Sequence, residues 1–169
     1  ATARKGSILQ VPNMHMKKIV VGPQAKDVID LRATPRQNII AVAEAKGVAP
    51  SNLTVVILDR SRHQELIKEV KATGANLKLI NDVDSAAGIA TALTEVDIDI
   101  LMGVGGALEG ILTAAALKCL GGGMQAQLCP DNEAEINQVL GSGIDDIERI
   151  FRIDDLVQDD NIIVAMTGI

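Results

Sequence analysis

Leu53 to Leu58 (LTVVIL) is an unbroken apolar run rich in β-branched residues, a pattern that suits a strand covered on both faces. Strand-type segments recur at Leu77 to Ile80, Ile98 to Met102 and Ile162 to Met166, with weaker ones at Met124 to Leu128 and Arg149 to Arg152. Between them the spacing of apolar positions turns helical. Thr34 to Gln37 (TPRQ) supplies a capping threonine, a proline at the first helical position and a glutamine at the third, so the free amides of the first turn are answered locally. Ile39, Ile40, Val42 and Ala43 form the apolar face behind that cap, and Gly47 ends it. Ser61 to Gln64 (SRHQ) repeats the cap without the proline, Leu66, Ile67 and Val70 follow as a stripe, and Gly74 closes the segment. Further helices are expected over Ser85 to Leu93, Ala107 to Leu120 and Asn132 to Leu140.

Strands alternating with helices at this spacing predict an α/β fold. Its sheet is mostly parallel (mixed), with helices on both faces in Rossmann-like layering. Residues 1–33 pattern poorly, with Pro12, Gly22 and Pro23 as breakers, and are expected to be a lead-in segment from a region N-terminal to them; residues 34–169 are expected to form a single α/β domain. The chain starts at Ala1 without a methionine and stops at Ile169 after a strand-like run, and is expected to be a piece of something longer.

Composition narrows the core and the partners. With 169 residues, 47% of them hydrophobic, the chain is long and apolar enough for a core of its own. It has no Trp, no Tyr and one Phe, so aliphatic side chains must fill that core, which favours stacked α/β layers over an aromatic-rich sandwich. The formal charge of −6 argues against a broad nucleic-acid surface, although a local pair of arginines can still take one small phosphate. The two cysteines, Cys119 and Cys129, form neither a CxxC motif nor a disulfide framework, and a reducing cytoplasm is expected. The most apolar stretch, Ile98 to Leu120, contains Asp99, Glu109 and glycines, so a membrane span is not expected.

Chemistry gathers at the strand ends, where open α/β sheets place their ligands. Asp59 to His63 (DRSRH) follows the first strong strand, Asn81 to Ser85 (NDVDS) the second, and Gly103 to Gly110 (GVGGALEG) the third. Arg60 and Arg62 carry planar, permanently charged forks suited to phosphate oxygens. Asp82 and Asp84 accept hydrogen bonds, as sugar hydroxyls require. Glu109 stands in the first turn of its helix and suits a hard cation such as Mg²⁺, and the glycine amides offer donors to an anion. Each residue also has a plainer reading. The arginines can be ordinary surface residues, Asp84 a helix cap, Glu109 a complement to the helix dipole, His63 a helix-face residue and His15 a surface residue. The dinucleotide fingerprint fails at Leu108, and a phosphate loop starting at Gly105 fails at Ile111 and Leu112, which weakens a nucleotide-binding reading. No hydroxyl nucleophile with a base and no zinc spacing is found.

Six stretches resemble the class II (GlpX-type) fructose-1,6-bisphosphatases, including cyanobacterial relatives that also accept sedoheptulose-1,7-bisphosphate. They are Lys5 to Pro23, Leu53 to His63, Gly74 to Leu93, Asp99 to Gly110, Ala114 to Gln125 and the closing AMTGI. The resemblance implies metal-dependent hydrolysis of the 1-phosphate of a sugar bisphosphate with Mg²⁺ or Mn²⁺, in gluconeogenic, glycerol or Calvin-cycle carbon metabolism, and a homo-oligomer is expected. It implies that Arg60, Ser61 and Arg62 bind substrate phosphate, that Asp82, Val83 and Asp84 contact the sugar, that Gly106 and His15 touch substrate, and that Glu109 ligates metal. His15 stands where the family has a tyrosine, Val83 replaces a glycine, Leu108 and Ser61 stand at proline positions, and Gln127 replaces a basic residue. The family's N-terminal acidic motifs, G-E-G-E and D-P-x-E-G-T, are absent from this sequence, so its main catalytic residues are not in the chain. The expectation is therefore the substrate-side part of such an enzyme, binding without turnover; the alternative is a diverged, non-catalytic sugar-phosphate- or partner-binding module.

Overall fold

In the computed structural model, which describes residues 1–166, the alternation of strands and helices closes into one six-stranded sheet, ordered β3-β2-β4-β1-β5-β6. The strands are β1 (His15–Val21), β2 (Thr54–Leu58), β3 (Asn76–Ile80), β4 (Ile100–Gly106), β5 (Gly123–Cys129) and the short β6 (Phe151–Arg152). The helices are α1 (Pro35–Lys46), α2 (Gln64–Lys71), α3 (Asp84–Ala90), α4 (Ala107–Leu120), α5 (Glu133–Gly141) and α6 (Ile153–Leu156). β2 pairs in parallel with β3 and β4, whereas β1 runs antiparallel between β4 and β5, and β6 runs antiparallel to β5. Strands β2 to β5 thus share one direction and the sheet is mixed.

Strand alternation divides the core between the two faces. Met16 and Val20 of β1 join Leu101, Ala114, Leu117 and Phe151 on the side of α3, α4 and α6. Ile19 and Val21 join Ile39, Val42, Ile67 and Val70 on the side of α1 and α2. The expected capping box is present: Gln37 N–H donates to Thr34 Oγ1 at 3.2 Å and Thr34 N–H donates to Gln37 Oε1 at 2.9 Å. Gly47 ends α1 in the left-handed region at φ 67°.

Three sequence expectations change. The poorly patterned N-terminal stretch contains β1, which sits inside the sheet with Lys18 only 2% exposed; a buried lysine interrupts the apolar signal that would have marked the strand. Gly103 to Gly106 is the end of β4, paired along its length with β1, and it passes into α4 without an intervening loop. The segment Ile162 to Met166 is not a strand; it makes a single bridge, Thr2 to Ile163. Thr167, Gly168 and Ile169, the end of the AMTGI stretch, lie outside the described residues. Among the described residues no helix is long and apolar enough to cross a membrane.

Candidate functional site

The carboxyl ends of β2, β3, β4 and β5 share a rim, and because β1 is antiparallel to its neighbours, its first residue reaches the same rim: His15 lies opposite Gly106 and Cys129. A cleft of about 530 Å³ opens there. Arg60 and Arg62 line it from the end of β2, Asp82, Val83 and Asp84 from the end of β3, Gly106 and Glu109 from the β4–α4 junction, and His15 from β1. Ser61 does not line it, and its hydroxyl does not cap the following helix. Asp131 and Glu135, from the segment after β5, complete the wall. Applying the strand-end rule to β5 as well would have found Asp131.

The arginines are not free surface side chains. Arg62 donates from Nε and Nη2 to the carbonyl of Val104 at 3.1 and 2.8 Å. Arg60 donates from Nη1 to Asp59 O at 2.9 Å and from Nη2 to Asn81 O at 2.5 Å. A guanidinium has five N–H donors, so each retains three in an orientation set by backbone carbonyls. Such preorganisation lowers the entropy lost when an anion is gripped.

Asp84 overturns its reading as a helix cap. Val83 occupies the cap position of α3 with no side-chain bond, and Asp84 is buried, 2.8 Å from the ammonium of Lys18. Lys18 Nζ also donates to Gly106 O at 3.2 Å. Asp84 Oδ2 has no hydrogen-bond partner among the described residues; its relation to Lys18 is an ion pair without an aligned bond. The carboxylate fits only because Gly105 lacks a side chain: a Cβ there would overlap Asp84 Oδ2 and come within 3.2 Å of Lys18 Nζ.

The turn preceding α3 is strained. Val83 has φ 57° and ψ 53°, a left-handed conformation that costs an L-residue about 1–2 kcal/mol. Its side chain is 56% exposed at the cleft.

His63 also departs from its reading as a helix-face residue. Its ring is buried at 2% exposure, and Nδ1 lies 2.7 Å from Leu58 O while Nε2 lies 2.8 Å from Val104 N. A carbonyl on one side and an amide N–H on the other require the neutral ring, with Nδ1–H donating and Nε2 accepting. The ring thus joins the end of β2 to β4 past Leu101, where their direct pairing has stopped. Burial pushes its pKa below 6.5, helped by the nearby charges of Arg62 and Arg60 and opposed by the Leu58 carbonyl and Asp84. Below about pH 6.5 the unfolded chain therefore binds a proton at this position that the folded chain refuses, and stability falls until the folded ring itself titrates. Urea denaturation from pH 7.5 to about 5.5 is expected to show the wild type losing stability relative to His63→Gln. Parallel profiles would exclude this account.

At the same rim, His15 Nδ1 is 3.2 Å from Asp131 Oδ2, tying the start of β1 to the segment after β5. Glu109 is exposed in the first turn of α4, with its carboxylate folded against Gly106 so closely that a Cβ on the glycine would overlap it. It offers one hard oxygen ligand. Among the described residues, however, no three His, Cys, Asp or Glu side chains are grouped to hold a metal ion, so these residues do not fit a complete Mg²⁺ or Mn²⁺ site.

The whole chain, residues 1–169, matches the family model described as bacterial fructose-1,6-bisphosphatase, glpX-encoded. The chain belongs to this family. A relative from Haemophilus influenzae named fructose-1,6-bisphosphatase class 2 is 37% identical over all of this chain and 54% of its own length. Two Prochlorococcus marinus proteins, from strains NATL1A and MIT 9303, are each 35% identical with the same coverage. Both are named D-fructose 1,6-bisphosphatase class 2/sedoheptulose 1,7-bisphosphatase. The chain spans about half the length of these family members.

Proposed function

We propose that the cleft is the sugar-bisphosphate side of a class II fructose-1,6-bisphosphatase, and that this 169-residue chain binds such a ligand without hydrolysing it. The observation that supports this most is the arrangement of charge along the cleft: two pinned guanidinia at the end of β2 stand between the carboxylates of Asp82 and Asp84 at the end of β3 and those of Glu109, Asp131 and Glu135 beyond β4 and β5. A phosphate is accepted at Arg60 and Arg62 by charge-assisted N–H donors. Sugar hydroxyls donate to Asp82 and Asp84, while Val83 bounds the sugar and His15 and Gly106 contact the ligand at the β1 and β4 ends. About 530 Å³ is within the range of small-molecule sites.

Release of the 1-phosphate would call for clustered carboxylates to hold a divalent metal ion, which would supply polarisation of the phosphoryl group and activation of water. Glu109 can contribute one ligand to Mg²⁺ or Mn²⁺; the remaining ligands are assigned to acidic motifs this sequence lacks. Assembly as a homo-oligomer and a cytoplasmic setting belong to the same reading.

Isothermal titration of the 169-residue chain with fructose-1,6-bisphosphate is expected to show saturable, salt-sensitive binding, and incubation with Mn²⁺ is expected to release no phosphate. No binding would defeat the assignment of the cleft, and phosphate release would defeat the assignment of the chain as catalytically incomplete. A non-catalytic binding module is the second reading, favoured by Val83, which is exposed at the cleft in a left-handed conformation where the resemblance expects a glycine. Reading the coding sequence upstream of Ala1 separates the two: acidic metal-binding motifs support the enzyme, and an initiator codon supports the module.

A further inference from the structure

Lys18 is a lysine 2% exposed on an inner strand of the sheet, outside the set of groups that line the cleft. A buried ammonium is costly and persists only when its charge and protons are answered. Two groups answer it here, the carboxylate of Asp84 at 2.8 Å and the carbonyl of Gly106 at 3.2 Å. Both belong to the cleft. Gly106 is the cap residue of α4, three positions before Glu109, and Asp84 opens α3. One ammonium therefore spans the two helix starts that present Asp84 and Glu109.

Asp84 Oδ2 explains why that matters. It is buried and lacks a hydrogen-bond donor among the described residues, while the residue itself faces the cleft. A buried acceptor of this kind is expensive to maintain, and the Lys18 ammonium 2.8 Å away is the charge that balances it. Without the ammonium, a carboxylate with side-chain exposure of 5% would lose its counter-charge and turn away from its buried position. It would then cease to be an acceptor aimed at a hydroxyl.

We propose that Lys18 is a positioning residue for the ligand site: it holds Asp84 as an ionised acceptor facing the cleft and fixes the β4–α4 junction through the Gly106 carbonyl. This rests on the reading of the cleft as a sugar-phosphate site. Lys18 acts through Asp84 and touches no ligand. Its effect on affinity is therefore conditional on the Asp84 charge, which a general contribution to folding would not be.

The test is a double-mutant cycle on the binding of fructose-1,6-bisphosphate to the 169-residue chain, using Lys18→Met, Asp84→Asn and the pair together. Each variant is checked for folding by its ¹H–¹⁵N spectrum. Lys18→Gln, which retains a neutral donor, takes the place of Lys18→Met if the latter does not fold. Lys18→Met is expected to weaken binding about tenfold or more, as losses of supporting partners behind functional groups commonly do. In the Asp84→Asn background it is expected to change affinity less than about twofold, because the charge it served is gone. Equal losses in both backgrounds, or no loss with Asp84 intact, would overturn the positioning role while leaving the cleft assignment standing. A wild-type chain that does not bind the sugar bisphosphate would overturn both.

Discussion

Gly105→Ala is expected to destabilise the folded chain by about 3 kcal/mol and to remove sugar-phosphate binding with it. The new methyl group would overlap Asp84 Oδ2 and stand 3.2 Å from Lys18 Nζ. Neither group can yield into solvent, because the two side chains are only 5% and 2% exposed. Relief then requires breaking the pair, which strands buried charge, or displacing β4 from β1, to which Gly105 is paired at Met16. Chemical denaturation followed by far-ultraviolet circular dichroism measures the loss without aromatic side chains, of which the chain has only one phenylalanine. Gly141→Ala is the control, since a Cβ at the end of α5 meets nothing within 4 Å. Equal stability of the two variants would refute the steric argument.

Arg62→Ala is expected to weaken fructose-1,6-bisphosphate binding about 10- to 100-fold, the range for losing one or two charge-assisted hydrogen bonds. Arg62→Lys is the more telling variant. It preserves the positive charge but cannot fork onto the Val104 carbonyl and an anion together, so it should recover only a small part of the affinity. Titrations at two salt concentrations separate the contributions: the lysine variant should keep much of the wild-type salt dependence while losing most of the affinity. Full recovery by lysine would mean that charge alone matters at this position and that the fork has no role.

Much of the cleft could be read from the sequence because strand ends are locally marked. An apolar β-branched run followed by charged or glycine-rich residues identifies a rim, and this pattern alone groups Arg60, Arg62, Asp82, Asp84 and Glu109. The signal is weaker at β5, which contains two glutamines, Gln125 and Gln127, so the sequence does not single out Asp131 and Glu135 beyond it as neighbours of the arginines. His63 could not be separated from an ordinary helix-face residue, since the partners of its ring, Leu58 O and Val104 N–H, are backbone groups at sequence distances of 5 and 41 residues.

The sequence alone determined what depends on neighbouring residues: the capping box of α1, the extent of α4, the apolar strand β2 and the identity of the groups available at each strand end. Only the tertiary structure decided how β1 runs, that Gly103 to Gly106 extend a strand, and that Lys18 and Asp84 meet beneath the cleft. Local patterns reflect backbone propensity and the average burial of a segment. Strand order and the pairing of buried charges depend on contacts across 66 to 88 residues, as between Lys18 and Asp84 or Gly106, where a gain at one position exists only once the other has arrived.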